Sequence, residues 1–164
     1  APHLGKDAVL AAAEIVTALQ TIASRSVDAQ ASVVVSVTQI HGGDTWNVIP
    51  EDVVLRGTVR AFQPEIQDLA EASIRRIAEG VSAAHDMTVA IDYQRRYPPT
   101  INDATEAEFA ATVMAGVVGG DNVFRNKNPK MASEDFAYML NEKPGAYVWL
   151  GNGPGATGGS DVGS

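Results

Sequence analysis

Residues 40–60 read IHGGDTWNVIPEDVVLRGTVR. A Gly-Gly turn opens the stretch, Trp46 and Asn47 lead into Val-Ile-Pro, and the chain leaves through Val53, Leu55 and Val59 to Arg60. Those apolar residues alternate with Val54, Arg56, Thr58 and Arg60, which is the period of a strand. Just upstream, Val33, Val35 and Val37 alternate with Ser36 and Thr38. The two runs predict a hairpin with a long loop, and parity puts Arg60 on the face opposite Leu55 and Val59. A loop held by two strands is a favoured place for function. On residue types alone it also reads as a plain hairpin whose loop holds a Trp and a Pro.

Helices flank the hairpin on both sides. Asp7 is a good N-cap, and after it Ala8, Ala12, Ile15, Val16, Leu19 and Ile22 recur at steps of three and four. This predicts an amphipathic helix ending near Ser24, where Arg25 suits the negative end of the dipole. Pro64 opens a second helix with a stripe of Ile66, Ala70, Ser73, Ile74, Ile77 and Val81. Met87, Val89, Ile91 and Tyr93 alternate as a further strand. Helix, strand, strand, helix, strand, with one more strand supplied ahead of Ala1, would make an α+β, ferredoxin-like (split βαβ) antiparallel sheet with two helices on one face.

Tyr97-Pro98-Pro99-Thr100 interrupts the pattern, since two prolines suit neither helix nor sheet interior. The expected domains are therefore residues 1–97 and 98–164. In the second, Phe109, Val113, Met114 and Val117 mark a helix stopped at Gly119-Gly120. Ser133 is expected to cap another through Phe136, Met139 and Leu140. Ala146 to Leu150 reads as a buried strand, and the Gly-rich stretch from 151 onward as loop. This α/β segment carries too little apolar surface to close a core by itself, so it reads as part of an incomplete domain.

Among 164 residues the net charge is −8, without a Lys/Arg cluster. That argues against a nucleic-acid or anionic-membrane partner, because phosphates need a basic face. No apolar run approaches the roughly 20 residues of a membrane helix. No cysteine is present, which excludes a thiolate nucleophile or Cys-based metal site and is compatible with the cytoplasm. His3, His41 and His85 lie far apart, with no metal-ligand spacing. His85-Asp86 reads as a helix end, and His3 as a loop residue. Glu134-Asp135 is either charge stabilisation at a helix N-terminus or a carboxylate aimed at a site. Trp46 and Trp149 read equally well as packing residues. The residues alone describe a soluble acidic α+β protein without a complete catalytic set.

The order GG-D-T-W-N-V-I-P-E, followed by G-T-V-R with Arg60 thirteen residues after Asn47, resembles the lid or dimerisation domain of M20 metallopeptidases. The likeness is greatest to the amidohydrolase branch of hippurate and auxin-amino-acid hydrolases. Pro2-His3-Leu4-Gly5-Lys6-Asp7-Ala8 resembles the segment entering the lid's first helix. Met131-Ala132-Ser133-Glu134-Asp135-Phe136 and Pro144-Gly145-Ala146-Tyr147 resemble the return into the catalytic domain. The resemblance implies a homodimeric enzyme whose metal centre (zinc, manganese or a similar divalent ion) cleaves the amide of N-acyl amino acids or small peptides. It implies substrate-binding roles for Asn47 and Arg60. Asn47 would donate to the scissile carbonyl oxygen, and Arg60 would grip a substrate carboxylate. His41 beside the turn is a further candidate for substrate contact, and Glu134 for a place near the active site.

Thirteen residues can span up to ~40 Å when extended, so Asn47 is expected to serve the partner's active site and Arg60 its own. The family's Cys-x-His segment, paired glutamates and middle histidine would lie ahead of Ala1, and its final histidine after about Gly158-Gly159. No metal ligand carries onto a residue here, so this chain alone is expected to bind no catalytic metal and to be inactive. The alternative is a non-catalytic α+β dimerisation or small-molecule-binding module.

Overall fold

A computed structural model describes residues 2–151. The chain divides into two compact units, one running to Arg96 and including residues 130–132, the other comprising the rest from Tyr97.

In the first unit, α1 (Ala8–Leu19) begins where Asp7 caps it, its carboxylate accepting from the backbone N–H of Val9 and Leu10 at 3.0 Å. The helix does not run on regularly to Ser24. Thr17, Thr21 and Ser24 hydroxyls bond back to carbonyls three or four residues earlier, a competition that loosens helical turns. The last part, Ile22–Ser26, is a π-helical turn closed by Val27 N–H to the Ile22 carbonyl. The combined run 8–26 is, by length and composition, apolar enough to cross a membrane, contrary to the sequence expectation. Its Ile15, Leu19 and Ile22 are instead built into the core.

Strands β1 (Val33–His41) and β2 (Val54–Ala61) form an antiparallel pair, with Val34 opposite Arg60 and His41 opposite Val54. Thr38 is an extra residue between the Val37–Gly57 and Gln39–Arg56 pairs, a bulge. α2 (Pro64–Ala84) starts with Pro64 in the first turn and ends at His85, after which Asp86 takes a left-handed φ of 53°. His85 Nε2 pairs with Glu14 Oε2 at 3.0 Å, and the Lys6 ammonium donates to the Asp86 carbonyl, so the helix end is tied to α1 and its approach. Ile15, Leu19 and Ile22 pack with Ala70, Ile77 and Ala78 of α2, and Val33, Val35, Val37, Leu55 and Val59 press one sheet face on them. Both helices thus share one face of the sheet. Arg60 is on the other, as parity predicts.

Residues 87–93 form no ladder, so the expected third strand is absent and the described sheet has two strands. Ile91 still reaches the core. Salt bridges hold the end of this segment: Arg95 Nη2 meets Glu71 Oε2 at 2.7 Å and Arg95 also pairs with Asp68, while Arg75 holds the other Glu71 oxygen at 2.9 Å. The guanidinium of Arg95, and then that of Arg75, keep the Glu71 carboxyl below the ordinary glutamate range.

In the second unit, Asp103 caps α3 (Ala104–Val118) and Gly119 closes it. The expected apolar stripe is not buried there. Phe109, Val113 and Val117 are exposed, and Ala111 is the buried residue. α4 (Phe136–Glu142) has Asp135 at its N-cap position, without a side-chain capping bond, two residues after the expected Ser133. The expected strand at 146–150 is absent as well, with Trp149 and Leu150 largely exposed. An apolar run becomes a strand only when a neighbouring strand takes its backbone groups in a ladder, and the bonds to this run from Asn102 and Asp103 do not build one. The Gly-rich stretch, apart from Gly151, lies outside the described residues, as does the position expected for a final histidine.

Candidate functional site

The hairpin loop, residues 42–53, is shaped by its two glycines. Gly43 has a φ of +84°, which side chains disfavour. A Cβ on Gly42 would sit 2.6 Å from a Val53 methyl, so only glycine lets the loop's two ends close together. Together with Asp7 and Val9, the loop from Gly42 to Pro50 borders an open hollow of about 660 Å³. Asn47 lies in this wall. Its Oδ1 accepts the Thr45 hydroxyl at 3.1 Å, leaving both amide hydrogens to point elsewhere. Trp46, between them, is 98% exposed, which rules out a packing role within the unit. His41 ends β1 beside the loop and is exposed.

Arg60 does not join this group. It lies six residues along β2 from Val54, the residue opposite His41, or roughly 20 Å of strand. It is half-buried on the sheet face turned away from the helices. Asn47 and His41 therefore belong to one end of the hairpin and Arg60 to the other.

Glu134, in the second unit, is held by a set of contacts that sequence reasoning missed. The Tyr147 hydroxyl donates to Glu134 Oε2 at 2.8 Å, and the Asp135 N–H to Oε1 at 3.0 Å. Tyr147 is itself fixed by Asn102, whose amide nitrogen donates to the Tyr147 carbonyl at 2.9 Å and whose oxygen accepts the Tyr147 N–H at 2.8 Å. Asn102 thus acts as one rung of a sheet, and the adjacent Asp103 N–H bonds the Gly145 carbonyl. Phe136 and Trp149 flank the phenol, with ring centroids 5.7 and 5.5 Å away. The Tyr147 hydrogen bond, then a side-chain hydrogen bond with the Asp135 carboxyl, lowers the Glu134 pKa, and the Glu134 carboxylate raises that of Tyr147. Glu134 is an ionised acceptor in a fixed orientation. Nothing in the spacing of Asn102 and Tyr147 announces this pairing; only the Pro-Gly-Ala-Tyr segment hinted at the tyrosine.

A divalent metal needs several carboxylate or imidazole ligands converging on one point. Among the described residues no three Asp, Glu or His side chains do so. His85 is engaged by Glu14, while His3 sits in an exposed 3₁₀ turn. The described residues do not fit a metal centre.

The chain belongs to peptidase family M20/M25/M40, whose pattern it matches over residues 3–161. It is 37% identical over 152 residues to a hippurate hydrolase of Campylobacter jejuni, covering 93% of this chain and 40% of that protein. It is 40% identical over 151 residues to an N-acetyldiaminopimelate deacetylase of Leuconostoc mesenteroides, covering 92% and 39%. A solved dinuclear metal-binding M20 peptidase of Bacillus subtilis superposes with a TM-score of 0.68 at 33% identity, over 90% of this chain and 38% of that one. The chain thus spans about two fifths of the length of these relatives.

Proposed function

We propose that this chain is the lid and the C-terminal catalytic-domain part of a metal-dependent amidohydrolase that cleaves N-acyl amino acids or small peptides. The observation that carries the reading is the extent of the family match, which runs from residue 3 to residue 161 and so through both units. A free-standing dimerisation or binding module would have no reason to keep the second unit. The substrate class rests on relatives named for acting on hippurate and on N-acetyldiaminopimelate.

Within that reading the first unit is the lid. Asn47 donates its amide N–H to the scissile carbonyl oxygen as negative charge grows there, and Arg60 holds the substrate carboxylate. His41 is a further polar contact at the loop. Strand length favours division of labour in a homodimer, with Asn47 reaching the partner's site and Arg60 its own. The first unit is a ferredoxin-like sandwich completed by a strand from elsewhere in the intact protein, a reading supported by Ile91, which packs against the core from the unladdered segment 87–93. The ions and their ligands are supplied outside the described residues, and Glu134 sits near the site they form.

The test uses the full-length protein with N-benzoyl- and N-acetyl-amino acids. Hydrolysis is expected, lost on chelation and restored by divalent ions. Asn47→Ala and Arg60→Ala are each expected to lower kcat/KM by about 10²-fold or more while Tm stays nearly constant, since neither belongs to the core. Chelator-resistant activity, or loss of cooperative unfolding in either variant, would overturn the reading.

A further inference from the structure

We propose that Thr45 is a positioning residue for Asn47, a role that rests on the reading of Asn47 as the donor to the substrate carbonyl. The Thr45 hydroxyl donates to Asn47 Oδ1 at 3.1 Å across one intervening residue. Among the described residues this is the only hydrogen bond of the Asn47 side chain. The terminal torsion of asparagine is broad and roughly two-fold, so an amide on an exposed loop samples orientations that offer oxygen or nitrogen almost equally. A substrate carbonyl accepts only from nitrogen. Once it takes the amide N–H, Oδ1 faces the threonine hydroxyl, which meets it as a donor. The same bond draws electron density toward Oδ1 and makes the N–H a stronger donor, since linked hydrogen bonds polarise one another. Its benefit therefore grows as charge develops on the substrate oxygen, and it belongs to kcat more than to KM.

The experiment is a double-mutant cycle in the full-length protein, with kcat and KM measured on N-benzoylglycine. Thr45→Val keeps the shape and β-branching and removes the hydroxyl, while Thr45→Ser keeps the hydroxyl. Thr45→Val is expected to lower kcat by about 3- to 10-fold, as loss of one ordinary hydrogen bond would, with KM nearly unchanged. Thr45→Ser should restore most of it. In an Asn47→Ala background, Thr45→Val should cost nothing further. Three results would overturn the proposal: a Thr45→Val enzyme with wild-type kcat beside a crippled Asn47→Ala enzyme, a loss that serine fails to rescue, or an equal loss with and without Asn47. If Asn47→Ala is itself silent, the donor role of Asn47 falls first and the role of Thr45 with it.

Discussion

Among the described residues Ile22 is the largest side chain with no exposed surface, and it enters the core from a π-helical turn. Truncation to alanine removes three carbons at about 0.8 kcal/mol each, and a cavity term adds to this where the surroundings cannot collapse. Collapse is hindered, because Ile15, Leu19, Ile77 and Ala78 belong to regular helices already packed together. The expected loss for Ile22→Ala is therefore about 3–4 kcal/mol. For a chain of this length that corresponds to a fall in Tm of roughly 6–16 °C. Ile22→Val, one methyl smaller, should cost about 1 kcal/mol. Urea unfolding followed by far-UV circular dichroism measures both, with the slope unchanged if the end states are unchanged. A loss below about 1 kcal/mol for Ile22→Ala would show that the π turn is not where α1, α2 and the sheet are joined, and the description of the core would fail.

Tyr147→Phe removes the main cause of the lowered Glu134 pKa, so that carboxyl should titrate closer to the ordinary glutamate value, observable by carbon NMR of labelled glutamate; an unmoved titration would refute the contact. Glu71 has a folded pKa depressed by Arg95 and Arg75, so its stabilisation is complete above the unfolded glutamate pKa and lost as pH falls through the lower folded one. Glu71→Gln should accordingly flatten the acid limb of Tm against pH below about pH 4.5; a limb as steep as that of the parent protein would assign acid unfolding to other carboxylates. Gly43→Ala should destabilise by about 1–2 kcal/mol because of its left-handed φ, and an unchanged Tm would mean that the loop can rearrange freely.

The parts of the fold legible in the sequence are those decided locally. Asp7 and Pro64 start helices where their chemistry predicts, and alternation alone put Val59 inward and Arg60 outward. Residues 87–93 and 146–150 show the limit of such reading. Alternation or apolar character describes which way side chains face, whereas a ladder requires a second strand, which no described segment supplies. The same reason explains Phe109, Val113 and Val117, whose helical spacing is real but whose burial depends on a neighbour. Ser133 and Asp135 are comparable intrinsic caps, so residue type alone does not fix the start of α4, which lies after Asp135. The roles proposed for Asn47 and Arg60 rest on the order of a family motif and not on their own chemistry. The contacts that orient Asn47 and Glu134 run from Thr45 and Tyr147, and the Asn102–Tyr147 bracket spans 45 positions, far beyond any local pattern.

Trp46 carries a practical consequence. It is one of two tryptophans, almost wholly in water at the tip of the Asn47 loop, whereas Trp149 lies edge-on to Tyr147 in the other unit. With Trp149 replaced by phenylalanine, the emission of the remaining indole reports on that loop alone. Its spectrum in the free protein should be that of a fully hydrated indole, and a blue shift would register the moment at which substrate, a second subunit or the rest of the enzyme closes over the loop.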